Sequence, residues 1–212
     1  MDQKLVAVID YGMGNLRSVS KAAEHMAPDN TRILVTHNPD EIADADAVIF
    51  PGQGAAKACM GALQETGMIH PVIQAAQEKP FLGICMGLQV LMSHSDENQG
   101  IKCLDVIPGN VKHFEFEENS ALKTPHMGWN QIHQTQEHPL WHNISQDSRF
   151  YFVHSYYVQP ENSGIITGQT THGTTFPSVL SHNNLFAIQA HPEKSADNGL
   201  QLFKNFLQWN GQ

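Results

Sequence analysis

From Pro80 to Ile84 the chain reads Pro-Phe-Leu-Gly-Ile, and the next residues, Cys85-Met86-Gly87, complete the pattern Gly-x-Cys-x-Gly. A short run that is apolar at every position suits a central strand of a parallel sheet covered on both faces, where neither side meets water. Glycines on either side of Cys85 remove the Cβ clashes of a tight turn, and the helical run Leu88 to Met92 follows. The segment therefore predicts strand, sharp turn and helix, with Cys85 at the turn. This is the arrangement of a nucleophile elbow, which exposes a reactive side chain at the top of a sheet. A helix N-terminus behind the cysteine favours the thiolate and lowers a thiol pKa from its free value of about 8.5.

The neighbouring segments predict the sheet that such an elbow needs. Leu5 to Ile9, Ile33 to Val35 and Ala47 to Phe50 read as buried strands, alternating with helical patterns over Leu16 to Met26, Ala56 to Leu63 and Pro71 to Ala76. That rhythm predicts βαβ units. From about Lys102 the pattern changes to strands separated by polar turns, clearest at Phe150 to Val153, Ile165 to Gly168, Ser178 to Leu180 and Leu185 to Gln189. A last helix, Leu200 to Trp209, puts Leu200, Phe203, Phe206 and Leu207 on one face. The expected fold is α/β, a mostly parallel central sheet flanked by helices with an added antiparallel section. With 212 residues and 41% hydrophobic content, one domain over 1–212 can bury its own core.

Several function classes are disfavoured. A formal charge of −9 opposes the counterion release that drives binding to phosphate backbones, so nucleic acid is not an expected partner. No stretch approaches the roughly 18 apolar residues of a spanning helix, and the run Leu5 to Ile9 ends in Asp10, too short for a signal segment. A soluble, cytoplasmic protein is expected. Cys59, Cys85 and Cys103 form an odd set without paired spacing, which argues against disulfides and a zinc ribbon. Cys59 and Cys103 read as ordinary buried residues. His138 and His142 lack the glutamate between them that a metalloprotease helix requires, and no Pro-Cys-x-x-Cys follows His191-Pro192-Glu193 as a zinc deaminase would need. Neither metal nor cofactor is expected.

A cysteine nucleophile needs an acid-base partner, itself oriented by a third group. His191-Pro192-Glu193, just beyond the strand Leu185 to Gln189, supplies both types: His191 for the proton and Glu193 to hold the ring. Pro51-Gly52-Gln53-Gly54 follows the strand Ala47 to Phe50, where a flexible turn can aim backbone N–H groups at an oxyanion together with the N–H of Met86. A βα turn without chemistry is the alternative there. Tyr11-Gly12-Met13-Gly14-Asn15-Leu16 also follows a strand, but Ser18 stands where a dinucleotide loop needs its third glycine. It reads as a structural turn, with use at an interface as the functional alternative.

Taken together, the elbow, the Pro-Gly-x-Gly turn and the His-Pro-Glu turn resemble those of the class I, or triad, glutamine amidotransferases. Asp10 to Leu16, Pro125-His126-Met127-Gly128-Trp129-Asn130, Phe152-Val153-His154-Ser155-Tyr156 and His191-Pro192-Glu193-Lys194-Ser195 narrow the resemblance to the glutaminase subunits that serve histidine biosynthesis. It extends from residue 10 to 195, essentially the whole chain. The resemblance implies Cys85 as nucleophile, His191 as general acid-base and Glu193 as its orienting carboxylate. It implies an oxyanion hole from Gly52, Gln53, Gly54 and Met86, and glutamine contacts from Gln89, His154, Ser155 and Tyr156. It further implies a heterodimer with a (β/α)8-barrel cyclase that consumes the ammonia, with Asn15, Met127, Trp129 and Lys194 as interface candidates. Core packing is the other reading of Trp129. A glutaminase of the same class feeding another synthase, such as a surface-sugar amination enzyme, would carry the same catalytic residues. Gln53 departs from the family's pattern, which commonly has a small apolar residue there.

Overall fold

The computed structural model describes residues 3–116 and 122–212. In the first half the strands are β1 (Lys4–Ile9), β2 (Thr31–Thr36), β3 (Ala47–Gly52), β4 (Phe81–Cys85), β5 (Met92–Ser95), β6 (Ile101–Lys102) and β7 (Ile107–His113). The second half adds β8 (His126–Gln131), β9 (His133–Gln134), β10 (Arg149–His154), β11 (Tyr156–Pro160), β12 (Ile166–His172), β13 (Thr174–His182) and β14 (Leu185–Ile188). The helices are α1 (Leu16–Met26), α2 (Pro39–Asp44), α3 (Ala56–Glu65), α4 (Ile69–Glu78), α5 (Met86–Gln89) and α6 (Ala196–Gln208). The main sheet has the order β2-β1-β3-β4-β14-β13-β12-β9. It is parallel from β2 to β14 and antiparallel beyond, as the change of pattern along the chain predicts.

Strand alternation sends successive side chains to opposite faces, and here both faces are covered. Ala7, Ile9, Val48 and Phe50 join a core with α3 and α4, while Val6, Val8, Ala47 and Ile49 join one with α1 and α6. This double burial is why β1, β3 and β4 read as unbroken apolar runs. A β8–β10 ribbon and a smaller sheet β11-β7-β5-β6 stand beside the main sheet.

The site follows from the parallel core. β3, β4 and β14 are neighbours, with Gly52 opposite Cys85 and Ile84 opposite Ile188. Parallel neighbours end on the same side, so the Pro51–Gly54 turn, Cys85 and His191 emerge together at the carboxyl ends of the strands, where open α/β sheets bind ligands.

The helix expected over Leu88 to Met92 is a correction. α5 stops at Gln89 after one turn, and Met92 already belongs to β5. The carbonyls of Val90, Leu91 and Met92 accept hydrogen bonds from the N–H groups of residues 104 to 107 instead of continuing a helical ladder. All three side chains are fully buried, and a run apolar on every side has no period to separate helix from extended chain. A one-turn helix also has little macrodipole to offer Cys85.

Candidate active site

Cys85 caps α5 with φ 55° and ψ −109°. This is a sterically poor conformation for a residue with a Cβ, of a kind that costs about 1–3 kcal/mol and persists where surroundings impose it. Gly87 meets the second requirement of the elbow, because a Cβ there would lie 2.1 Å from the Phe50 carbonyl oxygen. The turn thus presses against β3, and Cys85 opens on a cavity of about 330 Å³. Gln53, Gly54, Met86, Gln89, Glu97, Pro125, Val153, His154, Ser155, Tyr156 and His191 complete its lining.

His191 Nδ1 and Glu193 Oε1 are 2.8 Å apart, with side chains only 3% and 1% exposed. A carboxylate accepts only, so Nδ1 carries the hydrogen and Nε2 is the atom left for chemistry. Nε2 makes no hydrogen bond of good geometry among the described residues. Burial opposes a charge on His191, but electrostatic interaction and contact with Cys85, and the hydrogen bond and charge of Glu193, outweigh it, pushing the imidazole up to about 10. The ring is therefore an acid poised beside Cys85. Backbone contacts fix the turn: His191 N–H donates to Tyr151 O at 2.8 Å, Ser195 Oγ donates to His191 O at 2.6 Å, and Tyr151 N–H donates to Ser195 Oγ at 2.9 Å.

The predicted glutamine contacts divide. Gln89 lines the cavity, but its Nε2 donates to Tyr156 O and to Gln189 Oε1, both at 3.0 Å, leaving Oε1 without a partner among the described residues. It can therefore only accept from a ligand. His154 also lines the cavity, but both ring nitrogens are spent within the protein. Nδ1 meets Tyr156 O at 2.8 Å and Nε2 meets His126 Nδ1 at 2.9 Å. The His154 side chain therefore offers a ligand its ring surface and no further polar contact. Ser155 and Tyr156 line the cavity wall.

Two lining or contacting groups are missing from the sequence reading. Gln189, fully buried, donates from Nε2 to Cys85 Sγ at 3.7 Å and accepts from Gln89. Glu97 brings a carboxylate to the cavity, one oxygen of which accepts from Ala56 N–H at 2.7 Å. Its negative charge suits an amino acid's ammonium group. Gln189 ends the apolar run that leads to His191, where a buried amide is a local signal, whereas Glu97 lies in a polar segment that carries none.

Beside the cavity, the β8–β10 ribbon shows an outward face. Met127 and Trp129 are 62% and 47% exposed, opposite Val153 and Tyr151 respectively. Trp129 packs edge-on to Tyr151, and Lys194 Nζ lies 6.0 Å from the Tyr151 ring centre. Core packing is therefore the wrong reading of Trp129. Asn15 immediately precedes α1, and the adjoining Gly14 abuts Pro51.

The matching family is Glutamine amidotransferase class-I, over residues 7–209, and the chain belongs to it. Solved structures agree on the fold: a glutamine amidotransferase superposes with a TM-score of 0.72 at 16% identity over 98% of this chain and 99% of its own. PurLQS from Thermotoga maritima gives 0.68 at 14% identity, over 97% and 98%. Within the class its place is among the HisH subunits of imidazole glycerol phosphate synthase. The subunit of that name from Hydrogenovibrio crunogenus is 70% identical, over 100% of this chain and 99% of the relative. That of Nitrosococcus oceani is 54% identical over 97% and 98%, and that of Pseudomonas putida 48% over 98% and 98%.

Proposed function

We propose that this chain hydrolyses the side-chain amide of glutamine at Cys85 and passes the ammonia to the cyclase subunit of imidazole glycerol phosphate synthase. The observation that carries the reading is the buried His191–Glu193 pair facing Cys85 in a cavity at the carboxyl ends of β3, β4 and β14. The identity to HisH subunits along the full length supports the partner, and gives no support to a different synthase.

The Cys85 sulfur attacks the amide carbon, and charge moves to the oxygen. Backbone N–H groups of the Gly52–Gly54 turn and of Met86 receive that charge. His191 gives its Nε2 proton to the leaving nitrogen, ammonia departs, and a γ-glutamyl thioester remains. His191 then takes a proton from water, hydroxide adds to the thioester, and glutamate leaves as the cysteine sulfur regains its electron pair. Glu193 holds the ring in the tautomer that keeps Nε2 toward sulfur. Gln89 Oε1 and the Glu97 carboxylate suit the ammonium end of glutamine. Met127, Trp129, Tyr151 and Lys194 form the partner-facing surface, with Asn15 on the β3 side. The chain works as one domain in the cytoplasm, where ammonia handed directly to the cyclase avoids dilution as ammonium.

Glutamate release is measured for the chain alone, then with the cyclase and its ribonucleotide substrate. The expected outcome is turnover that rises strongly in the loaded complex and disappears with Cys85→Ala. Activity that survives Cys85→Ala, or none in the complex, would refute the reading.

A further inference from the structure

Behind the Pro51–Gly54 turn lies a polar pair that the mechanism does not use. Tyr11 and Cys59 are 1% and 0% exposed, yet each carries a hydrogen-bonding group into the core. The Tyr11 hydroxyl donates to Cys59 Sγ at 3.7 Å, and the Cys59 thiol donates to the Gln53 carbonyl oxygen at 3.4 Å. The Tyr11 hydroxyl also sits against the preceding residue, 2.9 Å from where a Cβ on Gly52 would be. The thiol thus holds the turn at Gln53, while the phenol orients the thiol and fills the space beside Gly52.

We propose that Tyr11 and Cys59 are positioning residues that set which way the Gln53–Gly54 peptide faces, and so whether the turn presents a hydrogen-bond donor to the cavity. The inference rests on the glutaminase reading of the site. Gln53 and Gly54 line the cavity, whereas Cys59 lies outside it, on α3 behind the turn. A carbonyl held by Cys59 therefore points away from the cavity. In a trans peptide the N–H points opposite to the C=O, and this peptide is trans. The Gly54 N–H is consequently turned to the cavity side. Gly54 has φ +95° and a neighbouring glycine two residues before it, so the unrestrained turn has little intrinsic resistance to rotating this peptide. Burial pushes the Cys59 thiol up, which keeps it a protonated donor. The far end of the turn is tied separately, through Ala56 N–H to Glu97.

The test is steady-state glutamine hydrolysis by the complex with cyclase, comparing the unaltered chain with Cys59→Ala, Cys59→Val and Cys59→Ser. Alanine and valine remove the donor with opposite changes in volume, and serine restores it. The expected result is a kcat lower by about three- to ten-fold in both apolar variants, the worth of one neutral hydrogen bond, with KM within about two-fold. Serine returns kcat toward the unaltered value. The rate at which iodoacetamide alkylates Cys85, which needs no oxyanion donor, stays unchanged in all three. Unaltered kcat in both apolar variants, equal losses in all three, or an alkylation rate that falls with kcat would overturn the clamp. Absence of Cys85-dependent hydrolysis in the unaltered complex would instead refute the underlying reading.

Discussion

At the residue scale the proposed chemistry depends on two side chains held against their preferences. Cys85 stands in a backbone conformation that suits glycine, and His191 keeps its proton within a buried site. The second effect has named causes and can be dissected. Replacing Cys85 by Ala removes the strongest influence raising His191, and Glu193→Gln removes a weaker one. NMR titration of the imidazole is expected to show His191 still protonated at pH 8 in the unaltered chain. It should titrate lower in Glu193→Gln and lower again in Cys85→Ala. A His191 that titrates near its ordinary 6.5 in all three would contradict the proposed acid. Glu193→Gln also loses the acceptor that fixes the tautomer, so its kcat is expected to fall by on the order of 100-fold or more.

At the scale of elements, what was legible in the sequence is what a short segment determines by itself. The elbow and the His-Pro-Glu turn show in spacing because their glycines, proline and polar residues serve local geometry. Gln189 is different: its contact with Gln89 joins positions 100 residues apart, and only the pairing of β14 with β4 creates it. Tyr151 likewise gains its place beside Trp129 from the β8–β10 register. Leu88 to Met92 failed as a helix because nothing in an all-apolar run says that residues 104 to 107 will claim its carbonyls. The outward face of the ribbon yields a prediction. Since Trp129 is half exposed, Trp129→Ala is expected to leave the thermal midpoint within about 2 °C, as surface substitutions usually do. Calorimetric titration should show affinity for the cyclase weakened at least ten-fold, as for a buried aromatic anchor in an interface. Unchanged affinity would remove this ribbon from the interface.

Across the whole molecule, two buried histidines, His126 and His154, make folding sensitive to acid. His154 is held down to about 3 and His126 to about 4, in both cases first by burial and then by neighbouring histidines. The unfolded chain takes up protons near the ordinary 6.5, so it binds more of them than the folded chain at lower pH. This contribution to stability is complete above about pH 6.5 and is lost as pH falls toward 3 to 4. The loss expected by pH 4.5 is on the order of 2 kcal/mol for each histidine. Urea unfolding at pH 7 and pH 4.5 measures it, and His126→Gln should flatten the slope.

The contacts of these histidines also have a polarity. Asn130 donates to His126, His126 to His154, and His154 to the carbonyl of Tyr156, an order set because that oxygen can only accept. From the other side Gln89 donates to the same oxygen, with Gln189 and Cys85 behind it. Two lines of polar groups, one rooted in the ribbon that carries Trp129 and one ending at sulfur, meet on a single oxygen atom and occupy both its lone pairs. That peptide is a pivot loaded from two sides: tilting it to favour one line draws it away from the other.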